Sequence, residues 1–368
     1  MRAGIAPPVG LLAELTHRCP LRCPYCSNPL ALAGQDTELA TAEWARVFRE
    51  AANLGVLQLH LSGGEPAARQ DLVALVRHAA EVGLYTNLIT SGVMLDAARL
   101  AALSEAGLDH VQLSVQDSLP GSADRIAGFP GGHARKLAFA RLVTDAGLPF
   151  TLNAVVHRQN LDRLGEIVTL AVELGAKRLE VAHVQYYGWA LLNRDHLLPT
   201  RAQLEAATAL VTEARAAHHG RLTIDYVVPD YYATEPKACM GGWGRQVIVV
   251  NPAGRVLPCH AAESLPGLIF ENVSEKSLGE IWQFSQAFER YRGTEWMPAP
   301  CRGCVNAEQD WGGCRCQAFA LTGDANATDP ACRLSDDHHL LDLAVRSAAS
   351  PEGDFIYRTQ RRVAVVRQ

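Results

Sequence analysis

The chain has 368 residues, a formal net charge of −5 and 48% hydrophobic residues. This suits one large core with a smaller appended module, and it excludes a minimal domain or a disordered chain. The mild acidity argues against a nucleic-acid partner, which needs a basic face, and no run approaches the ~20 apolar residues of a membrane span.

The N-terminus joins one early arginine to a short apolar run, but Glu14 interrupts it and no small-residue cleavage site follows. No signal peptide is read there, and a cytoplasmic location is expected. Residues 9–15 read as a strand. A helix is predicted over 41–54, with Thr41 as its cap. The strand at 57–61 ends at Ser62-Gly63-Gly64-Glu65-Pro66, and a helix over 71–82 is closed by Gly83. Next come a strand at 85–90 closed by Ser91-Gly92, a helix at 96–106, a strand at 110–116 and a helix at 134–146. A strand at 150–157, a helix at 161–174, a strand at 178–185 and a long helix at 201–219 complete the rhythm. Glycines stop several of these helices, as helix-end chemistry requires.

Strands alternating with helices imply right-handed parallel βαβ units. Six units predict an α/β fold, a partial (β/α)6 TIM-like barrel. In such barrels the chemistry sits on the loops after the strands. From about residue 223 the pattern changes. A strand at 222–228, a hairpin around 251–254, a helix at 277–291 and a cysteine-dense loop at 301–332 suggest a C-terminal cysteine-rich domain. The expected division is 8–222, 223–340 and a terminal helix or tail over 341–368. The last eight residues read as a surface tail or docking strand.

Ten cysteines in a chain of this kind point to metal binding or catalysis rather than disulfides. Three lie between 19 and 26, none from 27 to 238, and seven between 239 and 332. Cys19-x3-Cys23-x2-Cys26 is a three-thiolate site. Iron–sulfur cubanes normally take four thiolates, so three leave one iron open to chelate a small molecule. A zinc site with His17 as fourth ligand is the rival. Gly63-Gly64-Glu65-Pro66 falls on the next loop of the same rim, where two glycines permit close backbone approach to a ligand. A plain strand-to-helix turn is the bland alternative.

The cysteine spacing, with Pro24-Tyr25 inside it, and the glycine–glutamate loop resemble the radical S-adenosylmethionine superfamily. The resemblance implies a 4Fe–4S cluster on Cys19, Cys23 and Cys26 with S-adenosylmethionine bound to it. Tyr25 would lie beside the adenine, and Gly63, Gly64, Glu65 and Pro66 would meet the amino group. Ser91 and Gln116 are further candidates for this cosubstrate. Gln112, Ser114, Asn153 and His183 are inward-facing candidates that equally well satisfy one another inside a small barrel.

Gly254-x4-Cys259 and Cys301-x2-Cys304 resemble the SPASM extension of peptide-modifying radical enzymes, which carries two auxiliary iron–sulfur clusters. That extension uses eight ligands, and this chain offers seven cysteines. Asp310 stands in a cysteine slot of the run Cys301-x2-Cys304-x5-Asp310-x3-Cys314, and iron accepts oxygen ligands. The implied inner site is Cys239, Cys259, Cys314 and Cys316. The implied outer site is Cys301, Cys304, Asp310 and Cys332. The alternatives are a loop aspartate beside a three-cysteine cluster, or zinc sites drawing on His260.

Stretches at 13–16, 26–29, 85–92, 185–194, 228–232 and 312–319 resemble the peptide-cross-linking family of pyrroloquinoline quinone (PQQ) biosynthesis. The aspartate in the cysteine slot belongs to that family's pattern. The resemblance implies a radical SAM oxidoreductase that cleaves S-adenosylmethionine to a 5′-deoxyadenosyl radical. That radical takes a hydrogen from a glutamate γ-carbon of a precursor peptide, and the carbon adds to a tyrosine ring. An auxiliary cluster would receive the electron released. A small peptide chaperone and an external one-electron reductant are implied as partners, and no general base is assigned. Residues 185–194 are a candidate wall of the peptide cavity. The competing functions are a sulfatase-maturing or thioether-forming enzyme on the same scaffold, or a non-catalytic metal-binding electron carrier.

Overall fold

The structure is a computed structural model that describes residues 5–348 and 353–359. The reading of 361–368 as a tail or docking strand lies outside the described residues. The first units are β1 (Gly10–Thr16), α1 (Thr41–Leu54), β2 (Gln58–Gly63), α2 (Leu72–Glu81), β3 (Tyr85–Thr90) and α3 (Ala97–Glu105). They are followed by β4 (His110–Val115), α4 (Pro120–Ala127), α5 (Gly132–Asp145), β5 (Phe150–Val156), α6 (Leu164–Glu173) and β6 (Arg178–His183). Two short helices, α7 (Gly188–Leu192) and α8 (Arg194–Leu197), lead to α9 (Arg201–Ala217) and β7 (Thr223–Val227). The hairpin β8 (Val247–Val250) and β9 (Val256–Leu257) precedes α10 (Leu278–Phe284), α11 (Gln286–Glu289), α12 (Ala307–Asp310), α13 (Arg315–Thr322) and α14 (His339–Ser347).

The strands form one sheet in the order β7-β6-β5-β4-β3-β2-β1-β8-β9. Every neighbouring pair is parallel except β8 and β9. The fold is therefore the α/β partial barrel with a C-terminal cysteine-rich region that the sequence predicts. The sheet continues past the six units on both sides. β7 pairs with β6, and β8 returns to pair with β1. Val247-Ile248-Val249-Val250 is a nearly continuous apolar run, the composition a strand covered on both faces requires.

The strand alternation decides what each face does. On β4, Val111, Leu113 and Val115 are buried under the helices, while Gln112 and Ser114 face the barrel interior. There Gln112 accepts from Asn87 at 3.1 Å, and both Gln112 and Asn153 donate to Glu180, at 2.8 and 2.7 Å. These inward polar residues satisfy one another. The helices answer with apolar stripes. Trp44, Val47, Phe48 and Ala51 are buried on one side of α1, and Gly55, at φ +105°, ends the helix in the left-handed conformation. Full burial of each large side chain contributes roughly 1.5–3 kcal/mol. Among the described residues no helix is long and apolar enough to cross a membrane.

Some local expectations change. Thr41 is the first residue inside α1 rather than its cap: Ala40 holds the cap position, and the Thr41 hydroxyl donates to Asp71 at 2.6 Å. The helix expected over 277–291 breaks at Ser285, whose extended backbone lets its hydroxyl reach Glu271 at 2.5 Å. The stretch 120–127 is helical, started by a proline at its first turn.

Candidate active site and cluster sites

β1 ends at Thr16, and the chain turns over the barrel mouth through Cys19, Cys23 and Cys26. None of the three forms a disulfide. Cys19 and Cys23 pack with Leu21, Val93, Ala127 and Phe129. Burial pushes the Cys19 and Cys26 thiols up and Cys23 up to about 11. Thiols so buried ionise only with a compensating cation, and the thiolate is the form that binds metal. Two cations stand nearby. Lys136 on α5 acts on Cys23, and Arg358 from the C-terminal segment acts on Cys23 and Cys26.

The loop after β2 is built onto the approach to Cys19. The Gly64 amide donates to the Thr16 carbonyl at 2.6 Å, and the Glu65 amide to the Arg18 carbonyl at 2.8 Å. Gly63 has φ +122°, and a Cβ there would lie 2.3 Å from the Thr16 oxygen. A Cβ on Gly64 would lie 2.4 Å from the Arg18 oxygen. Only glycine permits this approach. Glu65 is fully buried, and its carboxylate accepts from Ala67 N, the Thr90 hydroxyl, Ser91 N and the Ser91 hydroxyl. Pro66 starts the short turn that follows.

The other sequence-predicted contacts surround the same mouth. Tyr25 is half-buried, with its hydroxyl enclosed beside Cys23 and Gln116, and its ring packs against His157 with centroids 5.4 Å apart. The Gln116 side chain accepts from Lys136 Nζ at 2.7 Å, and the Ser114 carbonyl takes the same ammonium at 2.9 Å. Burial lowers Lys136 to about 8, while the Cys23 and Glu65 acidic groups oppose that fall. His17 accepts the Ala33 amide at 2.9 Å through Nδ1 and lies 3.6 Å from Glu14 through Nε2. His183 meets the Tyr226 hydroxyl at 3.2 Å on the far side of the sheet's mouth.

The later cysteines separate into two groups. Cys259 and Cys316 sulfurs are 4.0 Å apart, and Cys239 and Cys314 complete a ring of mutual hydrogen bonds with them. Bonds from Cys239 and Cys316 pull the Cys259 and Cys314 thiols well down. Cys301, Cys304, Asp310 and Cys332 line a separate cavity with Thr328 and Asp329. Trp311, Gly312 and Gly313 all have positive φ, so the chain reverses between Asp310 and Cys314. That reversal lets one short stretch serve both groups. Among the described residues no set of three His, Cys, Asp or Glu side chains gathers as a single metal ion needs. Both groups supply the soft thiolate ligands that iron–sulfur clusters take.

Several residues of this region carry no sequence signal. Asp329 accepts the Cys314 amide at 2.7 Å and the Gln317 side chain at 2.9 Å, and its backbone carbonyl takes the Cys332 amide. Burial raises it to about 6. The Tyr187 hydroxyl meets His260 Nε2, placing residues of the 185–194 stretch between barrel and inner sulfur group. Lys136 and Arg358 carry no sequence signal either, because each touches residues far away in the chain.

Comparison with known proteins places these features. The family model for the radical SAM superfamily matches residues 13–171, and that for an iron–sulfur cluster-binding domain matches 239–305. The chain is 60% identical over 355 residues to the PqqA peptide cyclase of Methylocella silvestris, covering 95% of each. It is 58% identical over 354 residues to the PqqA peptide cyclase of Granulibacter bethesdensis, covering 96% of this chain and 95% of that one. Streptococcus suis SuiB bound to S-adenosylmethionine shares the fold, with a TM-score of 0.75 at 20% identity over 89% of this chain and 78% of that one. On these grounds the chain belongs to the PqqA peptide cyclase family of radical SAM enzymes.

Proposed function

We propose that the chain cyclises a precursor peptide for PQQ biosynthesis, joining a glutamate γ-carbon to a tyrosine ring with net loss of two hydrogens. Cys19, Cys23 and Cys26 hold a 4Fe–4S cluster with S-adenosylmethionine. Cys239, Cys259, Cys314 and Cys316 hold an inner auxiliary cluster, and Cys301, Cys304, Asp310 and Cys332 an outer one. When bound, the first cluster and its cosubstrate supply a carbon-centred radical that removes a hydrogen atom from the peptide.

The observation that carries the reading is the junction of the cysteine loop with the glycine–glutamate loop. Thr16 and Arg18 carbonyls take the Gly64 and Glu65 amides immediately before Cys19. Those amides are thus spent, and the carbonyls of Gly63 and Gly64 are what the loop offers an ammonium donor. Glu65 fixes Ser91 at the next strand end, which leaves the Ser91 oxygen as an acceptor. Tyr25 walls the cosubstrate site with Gln116, which Lys136 holds in place. The division of labour follows residues 8–222 for radical generation and 223–340 for the auxiliary clusters; the terminal helix or tail expected over 341–368 falls partly outside the described residues. The stretch 185–194 closes the barrel mouth and excludes water, which strengthens the polar contacts inside. A small chaperone presents the peptide, and an external one-electron donor supplies the reducing electron.

The test is anaerobic incubation of reconstituted enzyme with reductant, S-adenosylmethionine, the glutamate–tyrosine peptide and its chaperone. A peptide lighter by two hydrogens, with 5′-deoxyadenosine formed, supports the reading. Active cosubstrate cleavage without that mass change sinks the cross-link. Continued cleavage by a Cys19/Cys23/Cys26 triple alanine variant that keeps its auxiliary iron sinks the cluster assignment.

A further inference from the structure

We infer that Arg358 is a positioning residue for the radical-generating cluster: a C-terminal strap carries its guanidinium to the Cys23–Cys26 side of the site, where its fixed charge sets the reduction potential. The inference rests on the assignment of that cluster to Cys19, Cys23 and Cys26.

The strap is residues 353–359, which return to the barrel mouth after α14. Its hold is specific. The Ile356 amide donates to Asn193 Oδ1 at 2.7 Å, and Asn193 Nδ2 donates to the Ile356 carbonyl at 2.8 Å. The same Asn193 amide group donates to the Pro24 carbonyl, between Cys23 and Cys26, at 3.0 Å. One side chain therefore ties the strap to the cysteine loop. The Tyr357 hydroxyl donates to the Arg125 carbonyl at 2.7 Å, and Arg22 lies over the Tyr357 ring at 5.3 Å. The Arg358 amide donates to the Arg22 carbonyl at 3.1 Å. These contacts fix the strap from Ile356 to the backbone of its arginine.

The arginine side chain turns inward. Arg358 is 2% exposed, on a segment whose neighbours face solvent or the loop. Its guanidinium donates to the His17 carbonyl, two residues before Cys19. Its Nε has no acceptor among the described residues, and its side chain reaches Cys26. A guanidinium cannot lose its proton in a protein, and a buried one must meet negative charge to persist. The ionised cysteine sulfurs supply such charge, and the buried Glu14 carboxylate adds to it from the Cys26 side. Lys136, the other nearby cation, is already engaged by the Ser114 carbonyl and Gln116. Lys136 acts on Cys23, and Arg358 brings its charge to both Cys23 and Cys26.

Cluster potentials respond to net charge, to hydrogen bonds on the sulfurs and to solvent exposure. Reduction adds one negative charge. A fixed cation in a water-poor site favours the reduced state and raises the potential. The strap contributes all three influences at once, since it also covers the cysteine loop.

The test compares wild type, Arg358→Gln and Arg358→Lys as reconstituted full-length enzyme. The readout is an electron-paramagnetic-resonance redox titration of the cluster whose signal changes when S-adenosylmethionine is added. Arg358→Gln is expected to make that cluster about tenfold harder to reduce, a fall of ~59 mV for a one-electron couple. Arg358→Lys is expected to recover most of the difference, and the auxiliary signals to stay in place in both. A Gln variant within twofold of wild type overturns the inference, as does a Lys variant displaced as far as Gln. If the Gln variant sheds the cluster, the Lys variant decides: a wild-type potential supports the inference, and a displaced one overturns it. A wild-type enzyme with no S-adenosylmethionine-responsive signal overturns the cluster assignment instead, so the two failures are distinct.

Discussion

The Glu65 carboxylate receives both the backbone amide and the hydroxyl of Ser91, so the loops after β2 and β3 meet at one buried anion. The Thr90 hydroxyl adds a third bond at 2.7 Å from the end of β3. This joint sets the spacing of two loops on the rim where the cysteine loop also lies.

Glu65→Gln is expected to break that joint, because an amide places a donor against groups that already donate. Hydrogen bonds to a charged group contribute about 1.5–3 kcal/mol each, and a buried unsatisfied donor adds to the loss. The unfolding midpoint should fall, and S-adenosylmethionine affinity should drop at least tenfold. Ser91→Ala should cost about 1 kcal/mol, since the amide bond survives. Calorimetric titration and denaturant unfolding check both. Wild-type values in the Gln variant would show that the anion does not position the loops.

Gly64→Ala tests the contact between loop and strand. Its Cβ would lie 2.4 Å from the Arg18 carbonyl oxygen, and a backbone atom cannot swing aside. Overpacking of this kind costs about 1–3 kcal/mol, and here it also moves the residues before Cys19. Iron retained by the first cluster and cosubstrate affinity should both fall. Gly121→Ala, with nothing within 4 Å of the new methyl, is the control and should match wild type. Equal behaviour of the two variants counts against the close approach.

Asp310 lines the outer cavity while its Oδ1 accepts the Gly312 amide at 2.8 Å. Asp310→Ala should lower bound iron and change the outer cluster's spectrum while the inner cluster persists. Asp310→Cys should restore iron, which separates ligation from the loss of the turn hydrogen bond. An unchanged spectrum and iron content in Asp310→Ala would falsify ligation.

His183 provides a pH test away from the cysteines. Burial lowers its pKa to about 4, so the folded protein keeps it neutral where the unfolded chain takes up a proton. The unfolded state then binds more protons between about pH 6.5 and pH 4, and stability falls with acidification across that window. Between pH 7.5 and pH 5.0 this linkage removes roughly 1.5–2 kcal/mol. His183→Gln lacks the linkage, so its denaturant midpoint should fall less over the same interval. Parallel declines in the two proteins would contradict the assignment.

The sequence made much of the site legible because its main signals are local. Three cysteines within eight positions, and two glycines ahead of a glutamate, must lie together whatever the rest of the chain does. Helix and strand periods placed six βα units, and hence the rim. The prediction of Thr41 as a cap missed because its hydroxyl found Asp71, 30 residues away, a partner no local pattern names. The Ser285 break has the same origin, since Glu271 draws that hydroxyl out of the helix.

By itself, then, the sequence determined the barrel rhythm, the thiol sets and the loop chemistry that the family shares. Tertiary structure decided which charges stand beside them. Lys136 reaches Gln116 across the barrel wall, Asp329 bridges Cys314 and Cys332, and Arg358 meets a carbonyl 341 residues away in the chain. Hydrogen-bond spacing within a helix or strand repeats every few residues and leaves a pattern in the sequence. A single buried charge needs only one partner in space, and the folded chain alone brings the two together.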